Sequence, residues 1–221
     1  MDVWQITWFT LATAACATAL MLPPGLLIAW ALARQRFRGR LLLDTLVSLP
    51  LVMPPVATGL LLLTLFAPLG PFGRLLAAAG VQVVFTSKGV VLAMTVMGLP
   101  LFVRTVRAGF EQVDRRFEAA ASTLGAGPLR VFLTVTLPLA RPAVVAGAVL
   151  GFARAIGEFG ATIMIAGSIP GSTRTLAVAI YSLSEIGRTG EAARLVLICA
   201  AIAFAALWWS NRLALPEEQR G

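Results

Sequence analysis

Apolar and polar residues alternate in this chain as long blocks. Residues 6–33 carry no charge. A helix needs about 20 apolar residues to cross the hydrocarbon core of a bilayer, so this block predicts a first membrane span, interrupted at Pro23-Pro24-Gly25. An interior proline costs a soluble helix about 3 kcal/mol or more, and in a membrane the freed carbonyls must find partners on neighbouring helices. Further blocks predict spans at about 45–65, with Pro50 and Pro54-Pro55 inside, and at about 89–110, with Gly98-Leu99-Pro100 in the middle. Two more follow at about 142–166 and 192–210, the last closed by Asn211 and Arg212. The piece 176–183 is too short to span and reads as an external or partly re-entrant helix, and the tail 216–221 as solvated. Within a bilayer the backbone must satisfy its own polar groups. The expected fold is therefore all-α: one polytopic transmembrane domain over residues 1–221 with about five spans.

One block breaks the pattern. Residues 111–138 form a polar island, EQVDRRFEAAASTLGAGPLRVFLTVTLP, between two long apolar runs. Val113, Phe117, Ala121 and Leu124 recur at steps of four, four and three, which predicts one helical face over 111–125. Gly125-Ala126-Gly127 ends that helix, because glycine suits the left-handed position after a C-terminus. Pro128 suits the first turn of a second helix, predicted over 129–135 and leading to Leu137-Pro138. A helical hairpin of this kind either lies on lipid headgroups or offers its narrow, alanine-rich stripe to a protein groove. The stripe's narrowness favours the groove.

Charge orients the spans. The chain has 221 residues, 58% hydrophobic and 13% charged, with formal charge +8. In a soluble protein that excess would suggest nucleic acid, but between apolar runs basic residues mark cytoplasmic loops, so no nucleic-acid partner is expected. Arg34, Arg36, Arg38 and Arg40 follow the first span; Arg104, Arg107, Arg115, Arg116, Arg130 and Arg141 surround the island; Arg212 and Arg220 follow the last span. Arg74, Lys88, Arg174, Arg188 and Arg194 fall on the other side, and Arg154 lies within a span. The asymmetry predicts the N-terminus outside, the C-terminus inside, and the island in the cytoplasm. The first run is no signal peptide: it is too long, and Asp2 is the only charge before it. Histidine is absent, which excludes the common His-based metal sites and His base chemistry. Cys16 and Cys199 sit in apolar runs as small buried residues rather than a redox pair.

The island resembles the cytoplasmic coupling loop of ABC importer permeases. That family's pattern is Glu-Ala-Ala, three residues, Gly, nine residues, Ile, one residue, Leu-Pro. Anchored on Gly125 it reaches Val135, Leu137 and Pro138, with Val in place of Ile. Counting back puts Ala119, Ala120 and Ala121 in the Glu-Ala-Ala slots, so Glu118 stands one residue early. The resemblance implies an ATPase-coupling role for Glu118, Ala119, Ala120, Ala121, Gly125, Gly127, Leu137 and Pro138. It also implies the type I importer fold in the cell inner membrane. The chain has no G-x-x-x-x-G-K-[S/T], and its only lysine, Lys88, lies between Ser87 and Gly89. It lacks the phosphate-cradling loop of an ATPase. ATP and Mg are then expected on a separate subunit, and this chain is expected to be a non-enzyme without cofactor.

The fourth run holds Arg154 and Glu158, four apart. Charges at membrane depth pair with each other or face a cavity, so an ion pair and a transport role both stand open. Gly157 and Gly160 permit close helix contact, suggesting a gate or hinge. The stretch 152–163, FARAIGEFGATI, with 169–175, IPGSTRT, is similar to molybdate importer permeases. So are 49–56, LPLVMPPV, and 121–127, ASTLGAG. The resemblance runs from the first span to the fifth. It implies a homodimer, two cytoplasmic ATP-binding subunits, and an extracytoplasmic oxyanion-binding protein. Arg154, Gly157, Glu158, Gly160 and Arg174 are the gate or pathway candidates, Arg174 with a solvated loop arginine as the alternative. Tungstate and sulfate permeases share the Gly-Glu-Phe-Gly-Ala region. A secondary transporter or channel would carry acidic relays in several spans, where only Glu158 qualifies. A membrane enzyme would need a cluster of His, Cys or paired carboxylates that the spans lack.

Overall fold

The computed structural model describes residues 2–214, entirely helices and connecting turns; the expected solvated tail, 216–221, lies outside the described residues. Helix α1 (Val3–Arg34) is one unbroken 32-residue helix, so the expected interruption at Pro23-Pro24 is absent. Both prolines lie on its exposed side, while Met21, Gly25, Ala29 and Leu32 are buried on the other. A Cβ at Gly25 would sit 2.4 Å from the Phe102 ring. That close contact holds α1 continuous where the prolines remove hydrogen bonds.

The second run behaves differently. It forms α2 (Arg40–Val52) and α3 (Pro55–Phe66), bent by 115°. Met53 and Pro54 both precede a proline, which disfavours the α region, and both are extended, with ψ of 143° and 132°. The straight span expected at 45–65 is thus a broken pair. A short helix α4 (Pro71–Ala78) follows. Helix α5 (Ser87–Gln112) runs straight through Pro100.

The hairpin consists of α6 (Arg115–Thr123), then α7 (Pro128–Val131), a wide π turn over Phe132–Thr136, and α8 (Leu137–Leu139). Helix α9 (Arg141–Ile156) returns along the bundle and stops at Gly157; α10 (Gly160–Ala166) starts after a break. The expected fourth span, 142–166, is therefore two helices, split where Gly157, Glu158 and Phe159 leave the helix. Helix α11 (Leu176–Glu185) packs on α1 and α12 (Thr189–Ala214) through Ile6, Leu176, Leu183 and Leu195. Among the described residues three helices are long and apolar enough to cross a membrane. Two bent pairs, α2 with α3 and Pro128–Leu139 with α9, bring the total to as many as five.

Close packing of small residues builds the centre. A Cβ on Gly109 would meet that of Ala143 at 2.1 Å, and one on Gly151 would meet Met21 at 2.8 Å. Helices α1, α5 and α9 approach closely because these positions have no side chain. The first core gathers Ala14, Ala17, Met94, Met97 and Ala155; the second gathers Met21, Leu32, Phe102 and Phe110 beneath the hairpin.

Candidate functional site

The hairpin starts later than its periodicity suggests. Helix α5 continues to Gln112, Val113 is extended and 8% exposed, and Asp114 caps α6 by accepting a hydrogen bond from Arg116 N–H at 2.9 Å. Asp is a favoured cap, and it satisfies one of the orphan donors of the first turn. Val113 therefore packs into the bundle and not on the α6 face, which corrects the single stripe expected over 111–125. The turn follows expectation: Gly125 adopts φ +85°, and Ala126 N–H closes back on the Ala121 carbonyl at 3.1 Å. Gly127 precedes Pro128, which occupies the first turn of α7. The second arm runs on through Leu137 and Pro138 to Leu139, four residues beyond the expected 129–135.

The second arm fastens this hairpin to the bundle by packing: Val131 is buried, and Phe132 and Leu137 lie against the second core. Phe132 meets Trp30 edge-on at 5.8 Å and Phe110 at 5.9 Å. The outer side is left bare: Phe117 is 57% exposed, Leu124 89% and Leu129 71%. Ala119, Ala120, Gly125, Gly127 and Pro138 are exposed; Ala121 and Leu137 are half-buried.

Glu118 faces the other way. Its Oε1 accepts a hydrogen bond from Thr136 Oγ1 at 2.6 Å and lies 3.2 Å from Arg34 Nε. Arg34 Nη2 donates to the Val113 carbonyl at 2.7 Å. Sequence reasoning used Arg34 only as a topological charge and did not single out Thr136; contacts across so much chain leave no local signature. Arg107 makes two further ion pairs. Arg107 binds Asp44 of α2 and Glu111 of its own helix, both at 2.8 Å, and Arg104 donates to Ser48 at 3.1 Å.

The Arg154–Glu158 pair forms as the spacing suggested, with Nη1 to Oε2 at 2.7 Å. Glu158 lies past the end of α9 and is 1% exposed. Its other oxygen accepts Ala161 N–H at 2.8 Å, so the negative charge sits at the N-terminus of α10, where unpaired N–H groups favour it. A Cβ on Gly160 would lie 2.8 Å from Pro55 Cβ, and one on Gly59 would lie 2.7 Å from Ala161 Cα. The close approach expected of Gly160 thus locks α10 onto α3. Gly157 meets nothing nearer than 3.9 Å and supplies the turn, not a contact. Arg174 lies apart from the hairpin, in the loop before α11. Its Nε donates to Ser168 Oγ at 3.0 Å and its Nη2 to the Ser168 carbonyl at 3.2 Å. Among the described residues no group of three or more His, Cys, Asp or Glu could hold a metal. Cys16 and Cys199 are free thiols, but Cys16 is exposed and Cys199 half-buried, which corrects the burial expected of both.

A helical membrane domain with broken spans and a fastened hairpin that leaves apolar residues bare is the form of a transporter subunit. The chain belongs to the family of binding-protein-dependent transport system inner membrane components, whose model matches residues 6–213; it is a multi-pass inner-membrane protein. Within that family it is 45% identical over 219 residues to the molybdenum transport system permease protein ModB of Escherichia coli K12, covering 98% of this chain and 96% of that one. It is 44% identical over 157 residues to the sulfate transport system permease protein CysT of Salmonella typhimurium, covering 71% of this chain and 57% of that one. The fold matches a chain of a bacterial alginate ABC transporter in complex with alginate-bound periplasmic protein, with TM-score 0.73 at 18% identity over 98% of this chain and 80% of that one.

Proposed function

We propose that this chain is the membrane-spanning permease subunit of an ATP-driven importer that moves molybdate across the cytoplasmic membrane by alternating access. The observation that carries the coupling role is the hairpin itself. Phe132 and Glu118 anchor it inward, while Phe117, Leu124 and Leu129 remain bare on the outside. Uncovered apolar residues on a fixed helix suit a partner groove. Similarity to ModB over nearly the whole of both chains supports molybdate as cargo; the match to CysT covers less of each chain and keeps sulfate as the second reading, with tungstate beside it.

In this reading two copies form the pathway, with the N-terminus outside and the C-terminus inside. Two cytoplasmic subunits bind ATP and Mg on the hairpins, and an external binding protein delivers the oxyanion. The chain itself is non-catalytic and needs no cofactor. ATP-driven closure of the partner subunits moves α6–α8, and through them α5 and α9. The test is reconstitution with ATPase and binding protein, comparing uptake of molybdate, tungstate and sulfate. Molybdate preference is expected; sulfate preference overturns the cargo assignment. Phe117→Ala with Leu124→Ala is expected to release the ATPase, and Gly125→Pro to abolish coupled uptake. If both variants keep assembly and ATP-coupled uptake, the hairpin is not the coupling element.

A further inference from the structure

Helix α6 buries none of its residues, and a nine-residue helix is marginal in water on its own. Its position against the bundle must come from particular contacts. Among the described residues, Arg34–Glu118 is the only ion pair that ties α6 to another helix. Arg34 is the last residue of α1, and its side chain is 7% exposed. With Nη2 it holds the carbonyl of Val113, the extended residue joining α5 to α6. With Nε it faces the carboxylate of Glu118, one turn into α6. A single guanidinium thus grips both sides of the α5–α6 joint. Thr136, from the other arm of the hairpin, donates to the same carboxylate oxygen.

The Nε contact is an ion pair at 3.2 Å, but the N–H is not aligned for a hydrogen bond. It depends on charge more than on direction, so it can persist while α6 shifts. Beside it opens a cleft of ≈ 250 Å³, lined by Trp30, Arg34, Arg115, Glu118 and Phe132, among others, which leaves room for such a shift.

We propose that Glu118 and Arg34 form an internal latch that carries the movement of the hairpin to α1. Both are positioning residues for transport, and Glu118 acts within this chain and not on the ATPase subunit. The proposal rests on the coupling role argued above. It adds α1 to the helices driven by the hairpin, beyond α5 and α9, which are continuous or nearly so with it.

The test uses the importer reconstituted in vesicles with its ATPase and binding protein, and the oxyanion that the wild type imports best of molybdate, tungstate and sulfate. Glu118→Gln keeps an acceptor for Thr136 and removes the charge facing Arg34; Arg34→Gln removes the other half. Each is expected to lower uptake per ATP hydrolysed by about tenfold, the scale of one charge-assisted contact, while the ATPase co-purifies in full. The double variant is expected to be no worse than Arg34→Gln, because both singles lose the same ion pair and Arg34→Gln also loses the bond to the Val113 carbonyl. Arg34→Lys keeps the charge without the two-pronged grip, and an intermediate ratio is expected. If Glu118→Gln does not fold, seen as loss of the monodisperse membrane chain itself, Thr136→Val replaces it, with a smaller fall in the same ratio expected.

Loss of ATPase from Glu118→Gln but not from Arg34→Gln would overturn the latch by showing that Glu118 acts on the partner. Unchanged ratios, or effects that multiply in the double variant, would also overturn it. The coupling reading fails separately, through the Phe117 and Leu124 variants, whatever the latch variants show.

Discussion

Removing the Glu158 carboxylate tests whether the break between α9 and α10 is held by charge. Both oxygens are engaged, one by Arg154 and one by Ala161 N–H, and the residue is 1% exposed. Glu158→Ala therefore deletes the ion pair and the hydrogen bond to the start of α10 together. Breaking a buried pair costs about 3–5 kcal/mol. The Arg154 side chain is 29% exposed and can turn toward water, which points to the low end, about 3 kcal/mol. For a chain of this size each kcal/mol moves the midpoint about 2–4 °C, so a fall of about 6–12 °C is expected. Glu158→Gln keeps an acceptor for Ala161 and loses only the charge, at about 1–2 kcal/mol. Arg154→Met combined with Glu158→Gln removes both charges, and should return within about 1 kcal/mol of wild type, since a buried pair replaced by neutral groups is often neutral overall. The assay is the midpoint for loss of monodisperse purified protein on heating, under one detergent condition. A fall under 2 °C for Glu158→Ala, or a double variant less stable than Glu158→Gln alone, would refute the argument. Uptake measured on the double variant separates fold from transport: recovered stability with lost uptake assigns Glu158 to the pathway.

Two further outcomes follow from local geometry. Gly160→Ala sets a Cβ 2.8 Å from Pro55 Cβ and 3.0 Å from Val56 N, so overpacking of about 1–3 kcal/mol is expected in the same heating assay; Gly187→Ala, with open space around it, should cost only the strain of its φ of +74°. The chain has a single tyrosine, so phenolate absorbance reports Tyr181 alone. Its hydroxyl donates to Glu185 at 2.6 Å, which, with the nearby negative charge, holds its pKa above 10.0; Glu185→Gln should bring the titration down toward that value.

The hairpin shows what local sequence can and cannot specify. Gly125 and Pro128 set their own backbone, so the turn and the second start were legible. Val113 fitted the step of four yet lies outside α6, because Asp114 caps the helix one residue later; a favoured capping residue competes with apolar spacing, and here the cap won. The Pro-Pro pairs show the opposite weakness. Pro23-Pro24 sits in an intact helix and Pro54-Pro55 at a 115° bend. What differs is tertiary: the packed face of α1 against Phe102 has no counterpart on α2, which has no buried residue. Arg154 and Glu158 could be paired by counting four, but the bond to Ala161 follows from a break that the apolar run concealed. Arg34 could not be assigned to Glu118 at all, since nothing local relates residues so far apart in the chain.

The distribution of charge suggests how such a molecule divides into fixed and movable parts. Lipid is as apolar as the side chains it meets, so apolar burial gives little drive to join helices in a membrane, and close contact between small residues must do it. That contact exists at Gly98, Gly109, Gly147 and Gly151, between α5, α9 and α1. It demands a near-exact register, so α1, drawn through Arg34, and α5 and α9, drawn through the ends of the hairpin, must be driven in step or many contacts are lost together. The joints are built differently. Arg34 spans the α5–α6 joint, Arg107 ties α2 to α5, and Arg154 with Glu158 holds the α9–α10 break. Ion pairs at helix ends resist separation but tolerate small changes in angle. The hairpin and the α3–α10 pair, locked together at Gly59 and Gly160, are accordingly the pieces that can pivot on the central body while their attachments stay closed.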